Sequence, residues 1–575
     1  MKAQKLSYIL IGIVCLGVLP QLHAVTPPPD GGYPNFTTAE GDNALRALTT
    51  GLGNTAVGTF SLFSVSTGNF NTAVGAGSLD LNMGDNNTAT GAAALLFNNT
   101  GNGNTAVGTA ALEFNTTGGG NTANGAFALF SNTTAGGNTA TGNFALQNNT
   151  TGEHNTANGG GALLGNTTGS FNTATGFDAL FGNTTGVENT ANGAGALAGN
   201  STGHDDTATG ANALLHNTTG ADNTANGSGA LFSNTTADGN TATGTIALFS
   251  NSTGFDNTAT GTSALTNNSE GFQNTGTGGA ALQSNTIGNN NTADGAGALN
   301  SNTSGSANTA TGLDALVSSN GDDNTADGFE ALFANTSGSS NTAVGDGALN
   351  SNTTGGGNTA LGRFAGTNIT SANNVICIGS GVAGANVSGT TYVAGIFGVT
   401  TQLSATPVVI DSNGQLGTVS SSRRFKKEIK PMDQASEAIL SLKPVTFQYK
   451  TDNTGTPQFG LIAEEVAKVD PALVVHGKNG EIYTVRYDAV NAMLLNEFLK
   501  EHKKVEGERH ELQQQGTTID QLKTTVAKQA VIITQQQKGM ELLAAQLKKQ
   551  AAQIQAVSAK LDLSKSAPQV AVKDP

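Results

Sequence analysis

A run of hydroxyl and basic side chains around residue 421 is the segment best equipped for chemistry. Ser420–Ser422 is followed at 423–427 by Arg-Arg-Phe-Lys-Lys. A serine hydroxyl attacks a carbonyl only when a neighbour removes its proton, and a lysine can do so when burial or nearby cations lower its pKa. These residue types therefore suit serine chemistry. A solvated, basic start to a domain explains the same run, and from these residues alone it is the simpler interpretation.

Other candidate sites are weaker. Glu464 and Glu465 could form a pair of acid and base carboxylates, but adjacent residues on a helix point apart, so a helix-capping and solvation role is expected. The 7 His and the single mature cysteine, Cys377, form no ligand set with metal spacing. No glycine-rich loop continues into Gly-Lys-Ser/Thr, and the repeats lack the calcium-binding glycine-aspartate pattern. The sequence thus predicts no cofactor and no metal.

A repeat fills most of the chain before this segment. The motif is Asn-Thr-Ala-x-Gly-x-x-Ala-Leu-x-x-Asn-Thr-Thr-Gly-x-x, and it occurs 19 times at steps of 17 residues, two of them shortened to 16. A fixed short period indicates one unit stacked on copies of itself. The motif begins at Asn54, Asn71, Asn87, Asn104, Asn121, Asn138, Asn155, Asn172, Asn189, Asp206, Asn223, Asn240, Asn257, Asn274, Asn291, Asn308, Asn324, Asn341 and Asn358.

Seventeen residues with this composition predict one coil of a β-solenoid over 46–369. Gly and Asn supply the positive φ that tight turns need. Thr-Ala-x favours a short strand and Ala-Leu a second one, so each coil offers one Leu and two Ala to the interior. At about 4.8 Å per coil, 19 coils make a rod of roughly 90 Å. One coil buries too little apolar surface to stand alone, so stacking is required and association of several chains would help.

These repeats resemble the head repeats of trimeric autotransporter adhesins. The similarity lies in Asn-Thr-Ala-Val-Gly at 54–58 and 71–75. The resemblance implies a left-handed β-roll, three chains per particle and a role in adhesion. The period of 17 residues is longer than is usual in that family. The similarity therefore lies in the residue types of the motif and not in the length of the repeat.

Residues 370–420 predict a β-rich neck. Short β-rich runs lie at 375–379, 392–396 and 408–411, separated by Gly and Ser turns. Asp411-Ser412-Asn413-Gly414 is typical of a hairpin turn. The neck leads from the rod into a basic, mixed α/β segment that begins at residue 421.

Residues 421–505 resemble the intramolecular chaperone auto-processing domain of phage tailspikes, tail fibres and endosialidases. Four separated motifs carry the resemblance in order: 421–430, 442–449, 458–466 and 485–490. The resemblance implies that Ser421 is a nucleophile and Lys426 its base, and that the chain is cut once between Ser420 and Ser421. The sequence departs from the family at Ser422, where Asp is usual, and at Phe425, where Leu is usual. The three consecutive serines also leave the register open by one residue.

A heptad pattern follows and predicts a coiled coil over 506–562. Apolar residues recur in a heptad pattern from Leu494 to Leu561. From Ile519 to Leu561 the steps alternate between three and four, with Gln529, Gln536 and Gln550 at inward positions. Ile and Val at one core position permit a trimer. The alternative is a single amphipathic helix packed on the preceding domain. Residues 563–575 are predicted to be a disordered tail.

The first 24 residues are typical of a signal peptide, with basic Lys2 and Lys5, an apolar run 6–19 and a cleavage motif ending at Ala24. The alternative is a retained anchor. Residues 25–45 are predicted to be a linker, and no later stretch is apolar enough to cross a membrane. A secreted or cell-surface location follows, with no stable membrane span in the mature chain.

The charge distribution excludes nucleic acid as a partner of the repeats. The chain carries 26 Lys and Arg, of which only 4 precede residue 421. A surface that binds nucleic acid needs cations along its length. The sequence therefore predicts a mainly β, homotrimeric fibre that binds an unknown surface receptor or glycan, with self-cleavage as its only possible catalysis. The alternative is an ice- or mineral-binding solenoid with a non-cleaving trimerisation domain.

Overall fold

The computed structural model describes residues 34–401, 404–411 and 413–562. It divides into two compact units, Met1–Val399 and Thr400–Pro575. The predicted signal peptide 1–24 and the predicted tail 563–575 lie outside the described residues, as do residues 25–33 of the predicted linker.

The first unit is a parallel β-solenoid over residues 38–393, which we call the rod. A short 3₁₀ turn, Pro34–Phe36, precedes 22 three-residue strands that form one sheet. The strands are β1 Thr38–Glu40, β2 Thr55–Val57, β3 Thr72–Val74, β4 Thr88–Thr90, β5 Thr105–Val107, β6 Thr122–Asn124, β7 Thr139–Thr141, β8 Thr156–Asn158, β9 Thr173–Thr175, β10 Thr190–Asn192, β11 Thr207–Thr209, β12 Thr224–Asn226, β13 Thr241–Thr243, β14 Thr258–Thr260, β15 Thr275–Thr277, β16 Thr292–Asp294, β17 Thr309–Thr311, β18 Thr325–Asp327, β19 Thr342–Val344, β20 Thr359–Leu361, β21 Ile376–Ile378 and β22 Thr391–Val393.

Each strand pairs in parallel with the strand one coil further on, with equivalent residues opposite each other. The register is kept across both 16-residue steps, where Thr72 lies opposite Thr88 and Thr309 opposite Thr325. The predicted mainly β solenoid is therefore confirmed. It begins at residue 38 and ends at residue 393, so it takes in the end of the predicted linker and the start of the predicted neck.

The interior of each coil holds the residues that the motif predicted. In the coil 104–120, Ala106, Ala111 and Leu112 have no exposed surface. Because so few atoms fill one coil, most of its buried surface is buried by the coils above and below. The rod is thus stabilised by contacts between neighbouring coils, as expected for stacked repeats.

Two columns of asparagine side chains complete the interior. Asn121 donates from its backbone N to Asn104 Oδ1 at 2.9 Å and from Nδ2 to the Ala135 carbonyl at 2.8 Å. In the second column, Asn132 Nδ2 donates to Asn115 Oδ1 at 2.8 Å. The same bonds recur from coil to coil and pair buried amides that would otherwise be costly. The periodic Asn-x-Thr triplets are accounted for by these internal ladders.

The prediction of a second strand at Ala-Leu is wrong. Leu112 has a φ of 53°, in the left-handed region, and the equivalent Leu of almost every coil has the same conformation. The chain must reverse direction here to close a 17-residue coil, and an extended strand would not do so. The Leu112 N–H still donates to the Ala128 carbonyl of the next coil at 2.9 Å, so coil-to-coil bonding continues through the turn.

The glycine that follows each strand is required by close stacking. Gly108 has a φ of 133°, and a Cβ placed on it would lie 2.5 Å from the carbonyl oxygen of Gly125. A side chain at this position would therefore collide with the backbone of the next coil. The fifth position of the motif is glycine for this reason.

The second unit contains three two-stranded antiparallel sheets and a long helix. Its elements are β23 Val408–Ile410, β24 Leu416–Thr418, 3₁₀ turns at Arg423–Phe425 and Asp433–Ser441, β25 Val445–Phe447, β26 Gln458–Gly460, α1 Ala463–Val469, a 3₁₀ turn at Pro471–Leu473, β27 Val474–His476, β28 Ile482–Val485 and α2 Tyr487–Asp562. The hairpin β23–β24 forms at the predicted turn; Ser412 of that turn lies outside the described residues.

The core of this unit is small. It consists of Val466, Leu473, Val474, Val485 and Met493, the last of which lies on α2. Helix α2 is 76 residues long, and its residues from 501 to 561 are all exposed. The structure thus places one continuous helix where the heptads occur, with only its first turns in the core. Over the described residues, no helix is long and apolar enough to cross a membrane.

Candidate functional site

The residues predicted to do chemistry lie on a 3₁₀ turn at the start of the second unit. Phe425 N donates to the Ser422 carbonyl at 3.0 Å, and Lys426 N donates to the Arg423 carbonyl at 3.1 Å. The Arg424 guanidinium carbon lies 4.6 Å from the centre of the Phe425 ring. This local turn fixes the backbone between Ser422 and Lys426, and the basic side chains extend from it.

Ser421 and Lys426 are both exposed, as is the whole segment 420–430. In the described part of the chain, no hydrogen bond joins the Ser421 hydroxyl to the Lys426 amine. Within the three serines, Ser422 N donates a hydrogen bond to Ser420 Oγ at 3.3 Å. A single chain therefore presents the two predicted catalytic residues near each other in sequence without bringing them into contact.

The second unit also has an apolar groove, and none of the residues 420–430 lines it. It has a volume of about 680 Å³. Its walls come from the 3₁₀ turn 433–441, from β25 and β26, and from the first turns of α2; they include Ile439, Leu442, Val445, Phe459, Val490 and Leu494. Leu494 is also the first residue of the predicted heptad pattern. The groove and the apolar side of α2 are thus one continuous surface.

The hairpin β23–β24 is apolar and fully exposed. Val408, Ile410 and Leu416 are each about two thirds exposed, at 66%, 66% and 70%. An isolated two-stranded hairpin is at best marginally stable in water. This hairpin therefore requires a partner surface to be stable.

The apolar side of α2 is likewise uncovered. Ile519, Leu543, Leu547 and Ile554 are between 51% and 69% exposed. A helix that repeats apolar residues in heptads buries them against other helices. The alternative, a helix packed along its own domain, does not describe residues 501–561, because all of them are exposed.

A buried polar contact holds the first part of α2 on its domain, and no sequence pattern predicts it. Ser436 has no exposed surface. Its hydroxyl donates to a Glu497 carboxylate oxygen and accepts from Asn496 Nδ2 at 2.7 Å. Lys500 Nζ bonds the same carboxylate at 2.7 Å and lowers the pKa of Glu497. The contact bridges 61 residues of sequence.

Glu464 and Glu465 lie in the first turn of α1 and are exposed. Carboxylates in this place interact favourably with the positive end of the helix dipole. Their exposure fits the solvation role that the sequence predicted, but no side-chain hydrogen bond caps the start of α1, so the capping role stays a prediction. Among the described residues, no group of three or more His, Cys, Asp or Glu side chains is arranged to hold a metal ion.

The comparison with known families identifies part of this unit. Residues 421–475 match the family model described as chaperone of endosialidase, which supports a chaperone domain of this type at 421–475 and leaves residues 476–505 of the predicted span a prediction. The match begins at Ser421, where the basic run begins. No curated protein and no solved structure matches the chain. The resemblance of the repeats to adhesin heads stays a prediction.

Two columns of side chains line the outer face of the rod's sheet. The first residue of every strand is Thr, except at Ile376 of β21. The third residue varies along the rod, through Glu, Val, Thr, Asn, Asp, Leu and Ile. The middle residue points inward and is buried in nearly all strands. The rod therefore shows a regular Thr column beside a variable one.

Proposed function

We propose that the protein is a secreted or cell-surface fibre of three identical chains, in which the C-terminal unit assembles the trimer and the rod makes contact with a surface receptor or glycan. One observation carries the proposal. The chaperone domain is followed by a helix whose apolar side is exposed along 501–561, so the second unit is shaped to associate with copies of itself.

The oligomer follows from the exposed surfaces of the second unit. The hairpin β23–β24, the groove beside β25 and the heptads of α2 each leave apolar side chains in water. Association of three chains would cover all of them with one symmetric arrangement. Glutamines at the inward positions 529, 536 and 550 weaken the seam but help to fix its register.

Self-cleavage between Ser420 and Ser421 is the second part of the proposal. Ser421 Oγ attacks the carbonyl carbon of Ser420 while Lys426 takes the hydroxyl proton; the Ser420–Ser421 C–N bond then breaks as the Ser421 nitrogen takes up that proton, which leaves an ester between the Ser420 carbonyl and Ser421 Oγ. Water hydrolyses this ester and so separates the rod from the chaperone unit. In one chain the two side chains are apart and exposed. Assembly would have to bring Lys426 against Ser421 and bury it, since a lysine acts as a base only in a desolvated or cation-rich site. Cleavage is therefore proposed to follow trimer formation.

Light scattering on the full chain tests the trimer. We expect a mass of three chains, and Leu547→Asp to give smaller particles because it places a charge in the apolar seam. Gln546→Asp is the matched control, one residue away and outside the heptad positions. A wild-type chain that is monomeric at micromolar concentration would refute the assembly.

Gel electrophoresis after expression tests the cleavage. We expect two fragments from the wild-type chain, divided at Ser421, and one full-length band from Ser421→Ala and from Lys426→Met. Three consecutive serines leave it open which one is the nucleophile, so Ser420→Ala is the control. This variant should still be cut. Identical full-length bands in all variants would remove the cleavage and leave the fibre proposal intact.

The Thr column gives a second candidate function, binding to ice or a mineral surface. Thr occupies the first strand position in twenty successive strands, from Thr38 to Thr359, with no break in register. The adjoining variable column makes the face less regular, so the receptor-binding fibre is preferred. An ice-recrystallisation assay on the full chain decides between them: growth of ice grains at the rate of a buffer control removes this candidate.

A further inference from the structure

The variable column of the rod becomes aliphatic in the last four strands. Val344, Leu361, Ile378 and Val393 lie opposite one another in successive strands and are between 37% and 41% exposed. In β21 the neighbouring column is aliphatic too, because Ile376 replaces the Thr of every other strand. The end of the rod nearest the chaperone domain in sequence therefore carries a continuous apolar strip.

The same column is polar along the middle of the rod. From β6 to β18 its residues are Asn, Thr or Asp without exception. Both kinds of residue fit this outward position, since the strand geometry is the same in every coil. Val57, Val74 and Val107 place aliphatic residues in this column of β2, β3 and β5 as well, but Thr90 of β4 interrupts them. Only β19–β22 carry four in succession, so this strip is a feature of their sequence and not a requirement of the fold.

Acidic residues are absent from the same end of the rod. Residues 34–399 contain 21 Asp and Glu and only two cations, Arg46 and Arg363. None of the 21 acidic residues lies after Asp346, which pairs with Arg363 at 3.0 Å. Two copies of the rod repel each other wherever acidic coils come within about 8 Å, the screening length at physiological salt. Residues 347–399 are free of that repulsion.

We propose that the outer face of β19–β22 is the surface through which the rods of sister chains pack together, while the acidic coils before it stand apart in water. The occupant is a second copy of this chain. The inference rests on the proposed trimer, because assembly through the C-terminal unit holds the rod ends within reach. Only residues 394–420 separate Val393 from Ser421, a span of at most about 90 Å, which raises the local concentration of the three strips.

Single-cysteine crosslinking of the full chain tests the proposal. The two native cysteines, Cys15 and Cys377, are first replaced by Ala; Ala is the residue at the strand position of Cys377 in most coils. Leu361→Cys then places a thiol in the strip, and Thr243→Cys places one in the same column of a middle coil. A short bismaleimide links thiols of different chains without the strict geometry of a disulfide. We expect crosslinked pairs to dominate for Leu361→Cys and to be at least about tenfold fewer for Thr243→Cys, because only the former has an effective concentration near millimolar.

Leu361→Asp complements the crosslinking without risk to the coil, since Asp294 and Asp327 occupy this column naturally. Combined with Ile378→Cys, Leu361→Asp should reduce crosslinking severalfold, while light scattering still gives three chains. The control, Thr243→Asp combined with Ile378→Cys, should not reduce crosslinking.

The outcomes separate this inference from the proposed function. Trimers with equally low crosslinking at 361 and 243, or equally high crosslinking at both, overturn the inference and leave the trimer standing. A monomeric chain overturns both.

Discussion

The buried carboxyl of Asp206 gives the sharpest prediction from the rod. Asp206 takes the place of the first Asn of the motif and has no exposed surface. Its Oδ1 accepts from the backbone N and the Nδ2 of Asn223, at 2.9 and 3.1 Å, and its Oδ2 accepts from Asn217 Nδ2 at 2.9 Å. Burial outweighs these bonds and raises the pKa of Asp206 from 3.8 to about 7.

The sign of the effect follows from this shift. Between about pH 4 and pH 7 the folded chain holds a proton on Asp206 that the unfolded chain has lost, so the stability of the coil falls as the pH rises through that window. The shift is about three pKa units at 1.36 kcal/mol each, or about 4 kcal/mol. Asp206→Asn removes the ionisable group and restores an amide able to donate as its neighbours do. We expect the variant to gain up to about 4 kcal/mol at pH 8 and far less at pH 4.

Hydrogen exchange is the suitable assay, because a stacked array opens locally and not as one unit. Peptides covering the coils around Asp206 should exchange up to about 1000-fold more slowly in Asp206→Asn than in the wild type at pH 8, since each 1.4 kcal/mol is a factor of ten. Peptides near either end of the rod should not change. Asp256→Asn, at an exposed site fifty residues on, is the matched control. An equal effect of Asp206→Asn at pH 4 and pH 8 would refute the reasoning, since it would show that ionisation of Asp206 is not what weakens the coil.

Three further outcomes are expected. Leu163→Ala, at a fully buried position, should cost about 2–5 kcal/mol, measured as faster exchange in its own and adjacent coils; a change spread evenly along the rod would contradict nearest-neighbour stacking. Gly176→Ala should destabilise its coil, because φ is 133° and the Cβ would lie 2.5 Å from the Gly193 carbonyl oxygen. Gly279→Ala is the control, because its Cβ would meet no atom within 4 Å. Urea unfolding should show a loss of stability for the first variant and none for the second. Burial raises the pKa of Asp80 to about 6 and of Glu113 to about 7. The N-terminal coils should therefore resist urea better at pH 5 than at pH 8. A rod equally stable at both pH values would argue against ionisation of these carboxyls as a source of instability.

The period of the repeat was sufficient to predict the solenoid and its interior. Thr-Ala-x every 17 residues predicts one strand per coil, and Ala106, Ala111 and Leu112 are buried as expected. Whether the asparagine side chains point into the coil or towards solvent could not be predicted from the period. Asn104 and Asn115 are as suitable for an exposed turn as for an internal ladder, and only the stacking of coils decides between them.

For the C-terminal unit, the sequence predicted the type of domain but not the contacts that hold it together. The motifs at 421–466 predicted the chaperone domain that the family comparison assigns. The contact of Ser436 with Glu497 has no sequence signal, because it joins residues 61 apart that share no period. The roles of Ser421 and Lys426 stay predictions, since a single chain does not bring these side chains together.

The two shortened repeats show how freely this chain tolerates changes in length. At both, one residue is missing between Leu and Gly, yet the strands on either side remain opposite each other. Each coil recognises only its immediate neighbours, so gaining or losing a whole repeat would leave both termini of the array as they are. Duplication or loss of one 17-residue unit thus lengthens or shortens the rod by about 4.8 Å and leaves the coils at its two ends unchanged.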